Sequence, residues 1–264
     1  MKKGLRILLL ALAAVVFTVT VFLLDSGSRR ERMLKTCSRL DVVVLDSTEM
    51  QFVTKSDVRK ILLHDYGAFI GQRLDSVNLR KIEEVLEGRS GILGSEAYLT
   101  DDGILHIEIT QRAPILMFET APGTGFFADE NGYIFPLMKG YSEKVTKVEG
   151  KIPVAYEVGY KGFAKTAKER KWIAGMVSMA HWLEGNRAWE SAIKRISVDA
   201  KGCLLLHPRV GNETFVFGRP EEFKEKFRRI ELYYKKIASN QEEGKGYRYV
   251  DVSIDGQIIC RRKK

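Results

Sequence analysis

The sequence predicts an α+β protein: a single N-terminal transmembrane helix, a small domain ordered β-α-α-β-β, then an antiparallel-sheet domain carrying two longer helices. Three observations lead there. An uncharged run fills Ile7–Leu24. Alternating apolar runs meet repeatedly at Asp-Gly, Asn-Gly or Lys-Gly pairs, the signature of hairpins. Two stretches, near residues 172–183 and 223–237, place apolar residues at helical rather than strand spacing.

The run ILLLALAAVVFTVTVFLL spans 18 residues, roughly 27 Å as a helix at about 1.5 Å per residue. A cleaved signal peptide is the alternative reading, because Lys2, Lys3 and Arg6 precede the run. The apolar segment exceeds the usual ~7–15 residues, however, and LLDSGSRRER contains no Ala-x-Ala site. A retained anchor is therefore expected at 7–24, with 1–6 as a cytoplasmic tail and 25–40 as a linker. Basic residues lie on both sides, so charge alone does not orient the segment. The short tail and long following chain favour an N-in arrangement with the bulk exported.

In the first domain, 41–112, Asp41–Val44 begins as a short strand. Thr54 and Asp57 form a capping-box pair ahead of Val58, Ile61 and Leu62. Asn78 caps LRKIEEVLEG, whose stripe is Leu79, Ile82 and Leu86. EAYLTDDGILHIEITQR then folds as a hairpin about Asp102-Gly103. In the second domain, 113–260, GFFADENGYIFPL turns at Asn131-Gly132 and ISVDAKGCLLLH at Lys201-Gly202. Between them Trp172, Met176, Met179 and Leu183 mark a helix lying on a sheet. Pro220, Glu221 and Glu222 suit the first turn of a last helix whose buried face is Phe223, Phe227, Ile230, Tyr234 and Ile237. The chain closes with a strand, an Asp255-Gly256 turn, another strand and a basic tail at 261–264.

The formal charge of +9 is distributed unevenly. Residues 1–35 hold +5 and the last four residues +4, so 36–260 are neutral overall. That body lacks the basic excess needed to follow a phosphate backbone, and no nucleic-acid partner is expected. Cys37, Cys203 and Cys260 are too few for a disulfide framework; one pair, Cys203 with Cys260, stays open.

No catalytic constellation emerges. His64, His106, His181 and His207 are dispersed without metal-ligand spacing, Gly123-Thr-Gly125 lacks the third glycine of a dinucleotide loop, and no phosphate loop occurs. Ser191-x-x-Lys194 has the spacing of an acyl-transfer pair. With 14 serines in the chain, roughly two Ser-x-x-basic matches arise by chance, and the companion motifs are missing. Asp101-Asp102 reads as a solvated turn. The Asn212-Glu-Thr214 sequon bears only on a eukaryotic secretory route. No catalytic residue, cofactor, metal or small-molecule substrate is expected.

Taken in order, the short tail, the apolar segment, the β-α-α-β-β domain, QRAPILMF and GFFADENGYIFPL resemble the FtsQ/DivIB cell-division family. FVFGRPEEFKEKFRRIELYY is similar to the family's Leu-Gly-Arg segment, and YVDVSIDGQII to its Tyr-Val-Asp-Leu-Arg-Tyr strand. VVVLDSTEM departs from the family's Val-x-Gly opening, and Ser253-Ile254 stand where Arg-Tyr is common. The resemblance implies a polypeptide-transport-associated (POTRA) domain at 41–112 and the family's β-domain at 113–260. It also implies a non-enzymatic inner-membrane scaffold of the septal division machinery, with the C-terminal part in the periplasm. The implied partners are small bitopic coiled-coil division proteins like FtsB and FtsL and, through them, the septal peptidoglycan synthase.

Partner contact is expected at a C-terminal edge strand, Tyr249–Ile259, including Tyr249, Asp251, Ser253, Ile254, Gly256, Gln257 and Ile259, with Arg219 offering a charge-assisted bond. An accessory protein of export or outer-membrane assembly fits the same architecture, and a membrane-anchored envelope enzyme is the third reading.

Overall fold

The computed structural model describes residues 16–20, 35–45, 52–138, 145–240 and 246–262. Of the expected anchor only Val16–Thr20 are among them, and these are helical. The rest of that segment, most of the linker, and Lys263 and Lys264 lie outside the described residues. Among the described residues no helix is long and apolar enough to cross a membrane. The chain divides into two compact units, one of Met1–Ser47 and Val53–Gln111, the other of Thr48–Phe52 and Arg112–Lys264.

The first unit follows the expected order. Strand β1 (Arg39–Val44) precedes helix α1 (Lys55–Ile61) and a single π turn at Leu62–Tyr66; helix α2 (Leu79–Glu87) leads into β2 (Ile92–Leu99) and β3 (Ile104–Gln111). The sheet order is β1-β3-β2. β3 is therefore central, parallel to β1 with Val42 opposite Ile107, and antiparallel to β2 with Ala97 opposite Ile107. The capping box forms as read: Thr54 Oγ1 accepts from Asp57 N and Asp57 Oδ2 accepts from Thr54 N. Helix α1 is thereby started with its apolar side inward, and Val58, Leu62, Ile82 and Leu86 pack fully buried with Leu105, Ile107 and Ile109. Gln111 ends the central strand buried, its Oε1 accepting from Val53 N at 2.9 Å. A backbone donor that would otherwise be desolvated and unpaired is thus satisfied.

The second unit contains β4 (Pro114–Ala121), β5 (Thr124–Asp129), β6 (Tyr133–Pro136), β7 (Thr146–Gly150), β8 (Gly162–Phe163), helices α3 (Ala167–Glu184) and α4 (Arg187–Ala192), β9 (Ile193–Val198), β10 (Leu204–Pro208), β11 (Thr214–Gly218), helix α5 (Phe223–Leu232), β12 (Tyr249–Asp251) and β13 (Ile259–Arg261). Its ten strands form one sheet ordered β13-β12-β11-β10-β9-β7-β4-β5-β6-β8. The expected hairpins about Asn131-Gly132, Lys201-Gly202 and Asp255-Gly256 are present. The sheet is nevertheless mixed rather than antiparallel, because β4/β7, β7/β9 and β11/β12 run parallel. Parallel neighbours require crossovers. The two longer helices belong to such crossovers, α3 between β7 and β9 and α5 between β11 and β12.

Both helices cover one face of the sheet. Trp172, Met176, Met179 and Leu183 of α3 are buried there with Phe118, Val148, Ile196 and Leu206. Helix α5 contributes Phe227 and Ile230, and then widens into a π turn at Tyr233–Ile237. Tyr233, three residues after Ile230, is 2% exposed and joins the same core, against which the half-buried Tyr234 also packs. The start of α5 also differs from expectation. Pro220 lies in the bend before the helix, buried against α3 where a Cβ added to Gly175 would come within 3.0 Å of Pro220 Cγ. Glu222 precedes Phe223 in the left-handed region, φ 50°.

The segment 112–133 shows why an aspartate precedes a Gly-aromatic turn. Asp129, 3% exposed, accepts from Asn131 N and Tyr133 N at 2.9 Å each and from Arg112 Nη1 at 2.5 Å. The Arg112 guanidinium also lies 4.0 Å from the Tyr133 ring centroid. One carboxylate thus fixes both the turn and a buried cation.

Candidate functional site

The end of the large sheet formed by β11, β12 and β13 gathers most of the residues singled out at the C-terminus. β12 is flanked on both sides, parallel to β11 and antiparallel to β13, with Val250 opposite Phe215 and Cys260. Among the described residues the free edge at this end is therefore β13, Ile259–Arg261, and not the whole stretch Tyr249–Ile259. The Asp255-Gly256 turn, with Gly256 at φ 66°, folds the chain back so that β13 pairs along the side of β12 that β11 leaves open.

The expected contact residues separate accordingly. Tyr249 is exposed on β12, and Ile259 is half-buried on the edge strand. Asp251 accepts from Ser253 N at 2.9 Å and from Ser253 Oγ at 2.6 Å. Ser253, Ile254, Gly256 and Gln257 lie in the connecting loop, where Gln257 N donates to Ile254 O at 3.3 Å. The backbone donors of Ser253 and Gln257 are thus used within the loop. Ile254 is 44% exposed.

Arg219 follows β11 directly and is exposed. Gly218 before it has φ 76°, and a Cβ there would meet Ser253 Cβ at 2.9 Å. The Arg219 segment and the 252–258 loop are therefore neighbours, in contact through a position that only glycine fills without strain.

Two residues missed in the sequence hold these segments. Lys226 on α5 is 5% exposed, donates to Arg219 O at 2.7 Å and has its ammonium 5.3 Å from the Phe217 ring. Burial, followed by the neighbouring Arg229 charge, lowers its pKa below the ordinary lysine value. Arg229, 7% exposed, donates from Nε to Val252 O at 3.1 Å and from Nη1 to Asp255 Oδ1 at 2.8 Å. A signal was present for Lys226: it lies three residues after Phe223 and four before Ile230, inside the apolar stripe. Nothing in the pattern distinguished Arg229 from the exposed Arg228.

The residues weighed for catalysis are scattered over the fold. Ser191 donates to Ala188 O at 3.1 Å at the end of α4, a helix-end hydroxyl bond. Asp102 accepts from Thr100 Oγ1 in the β2–β3 turn. His207 stands on the sheet face away from the helices, its Nε2 2.9 Å from Ser197 Oγ and its Nδ1 3.4 Å from Thr214 Oγ1. Burial and the Arg195 guanidinium lower its pKa. Among the described residues no cluster of three His, Cys, Asp or Glu could hold a metal ion. The three cysteines are free, so Cys203 and Cys260 do not pair.

Comparison with known proteins agrees with this architecture. The family model described as FtsQ/DivIB, C-terminal related, matches residues 113–261, and the one described as POTRA-like domain matches residues 35–110. No curated protein matches the chain. With more than half of its length matched by the first model, the chain belongs to the FtsQ/DivIB family of cell-division proteins.

Proposed function

We propose that this protein is a non-enzymatic scaffold of the division septum that docks a segment of a partner protein along β13. The anchor at 7–24 would hold it in the inner membrane with the POTRA-type and β-domains in the periplasm. Family membership supports the division role. The observation that carries the docking reading is the free edge at Ile259–Arg261, which terminates a ten-stranded sheet. An edge strand presents main-chain donors and acceptors to which an extended segment adds as the next strand, while neighbouring side chains select its sequence. Tyr249, Ile254 and Arg219 are exposed around that edge. The partners this reading calls for are FtsB/FtsL-like bitopic proteins, with the septal peptidoglycan synthase reached through them. Recruitment or regulation of that synthase would be the outcome.

Proline scanning tests the edge. N–H groups of successive residues in a strand point to opposite sides, so of Ile259→Pro and Cys260→Pro one removes an outward donor and the other an inward one. Binding of the full chain to the periplasmic part of an FtsB-like partner should vanish in the outward variant with its melting transition unchanged. Equal, wild-type binding by both folded variants would place docking elsewhere. A fluorescent fusion should concentrate at midcell, and spreading round the envelope would favour an export or assembly role instead.

A further inference from the structure

A second feature of the β-domain lies beside α3. A cavity of about 430 Å³ opens between the first two turns of α3, Pro153 and the Arg219–Glu221 segment. Its volume falls within the ~300–1,000 Å³ usual for small-molecule sites. Pro153, Pro220 and the indole of Trp172 give it apolar walls.

Its polar groups are unusually one-sided. Lys168, Lys171 and Arg219 line it, against the single carboxylate of Glu221. Positions 168, 171, 172 and 175 share one face of α3. Gly175 packs on Pro220, which lines the cavity. Trp172 is 8% exposed, and its Nε1–H is buried without an acceptor among the described residues. A desolvated donor of that kind costs free energy unless something accepts from it. Lys168 and Arg219 make no ion pair among the described residues, while Lys171 reaches Glu221 at 2.8 Å in a pair exposed on both sides. Thr166 caps the helix by accepting from Glu169 N, leaving the first N–H groups, at Ala167 and Lys168, at the positive end of an 18-residue helix.

From these groups we infer that the cavity binds a small ligand that joins one oxyanion, a carboxylate or a phosphate, to an apolar body. The oxyanion sits among Lys168, Arg219 and the start of α3 and competes with Glu221 for Lys171. The body lies against the prolines and the indole. This site shares Arg219 with the surroundings of the β13 edge. Lys168 belongs to the cavity alone, so a fault here and a fault in the docking reading give different results.

The test uses the full chain in detergent with 5-fluorotryptophan at its three tryptophans, the Trp172 signal being identified by Trp172→Phe. Benzoate and phenyl phosphate are the probes, with acetate, inorganic phosphate and benzyl alcohol as controls lacking either body or charge. Benzoate or phenyl phosphate should shift the Trp172 signal saturably, and the tighter of the two identifies the oxyanion. Acetate and phosphate should bind more weakly, and benzyl alcohol should leave the signal in place. Lys168→Gln should weaken binding about 5-fold, as expected for one exposed charge. Glu221→Gln should tighten it by a similar factor, because it removes a repelling carboxylate and releases Lys171. Both variants should keep wild-type binding to the division partner. No saturable shift up to about 10 mM, or equal affinity in wild type, Lys168→Gln and Glu221→Gln, would overturn the inference.

Discussion

Replacing Arg229 with methionine isolates the bond that fixes the 252–258 loop. Methionine keeps much of the apolar stem, so packing loss is small. What disappears is the charge-assisted bond from Nε to Val252 O at 3.1 Å and the ion pair to Asp255 at 2.8 Å. The first is buried, and bonds of this type contribute about 1.5–3 kcal/mol. The second contributes well under ~1 kcal/mol, because the Asp255 side chain is 92% exposed and solvent screens it. Relief of the repulsion between Arg229 and the buried Lys226 offsets part of the loss. A net destabilisation of about 1–3 kcal/mol is expected, a fall in the β-domain melting temperature of roughly 3–10 °C for a unit of this size. Calorimetry on the full chain measures the shift. Amide exchange at Gly256 and Gln257 should quicken beyond what the global change explains. Asp255→Asn should change stability by less than ~1 kcal/mol. If Asp255→Asn costs as much as Arg229→Met, the exposed pair and not the buried carbonyl bond holds the loop, and the reasoning is wrong.

Three further outcomes follow from the packing. Asp129→Ala leaves Arg112 buried without its counter-charge and the 129–133 turn without its acceptor, and should cost about 3–5 kcal/mol in chemical denaturation; a cost under ~1 kcal/mol would show that Arg112 escapes to water. Gly218→Ala forces a side chain into the left-handed region against Ser253, and should cost about 2 kcal/mol or more while weakening partner binding; neutrality would mean that the two segments separate freely. His207 has its folded pKa depressed below the ordinary 6.5, so the unfolded chain binds the extra proton first. Stability from the neutral ring is therefore complete above 6.5 and is lost as pH falls through the lowered folded pKa; urea titrations should show this loss in wild type and not in His207→Gln.

How much of this was readable in the sequence depended on whether the signal was local. Gly103, Gly132, Gly202 and Gly256 each mark a hairpin and each adopts positive φ, because a tight turn between adjacent residues imposes a local requirement. Thr54 with Asp57 and the stripe of α3 were legible for the same reason. Parallel pairing was not, because β7/β9 and β11/β12 are joined through helices and no residue at either strand records its distant neighbour. The edge expected over Tyr249–Ile259 narrows to β13 for a related reason: the strand-turn-strand pattern about Asp255-Gly256 is local, but which of the two strands lies outermost depends on β12 pairing with the distant β11. Lys226 and Arg229 were missed because burial of a cation depends on carbonyls from other segments, here Arg219 and Val252.

The short length of β13 limits what backbone pairing alone can do for docking. A three-residue edge offers only a few outward main-chain bonds, each contributing about 0.5–1.5 kcal/mol net. Their sum is a few kcal/mol, whereas micromolar association needs about 8 kcal/mol beyond the cost of holding two molecules together. Pairing at Ile259–Arg261 can therefore set register and direction, and most of the affinity has to come from side chains nearby. Tyr249 and Ile254 are large and 45% and 44% exposed, and Arg219 is a cation without an ion-pair partner among the described residues. Two of these three positions depend on segments that α5 fastens: Lys226 holds the carbonyl of Arg219, and Arg229 holds the loop bearing Ile254. A short edge also lowers the hazard of unintended strand addition. Under the proposed docking, selectivity would depend on α5, since a partner that paired with β13 without using Arg219 and Ile254 would gain too little to stay bound.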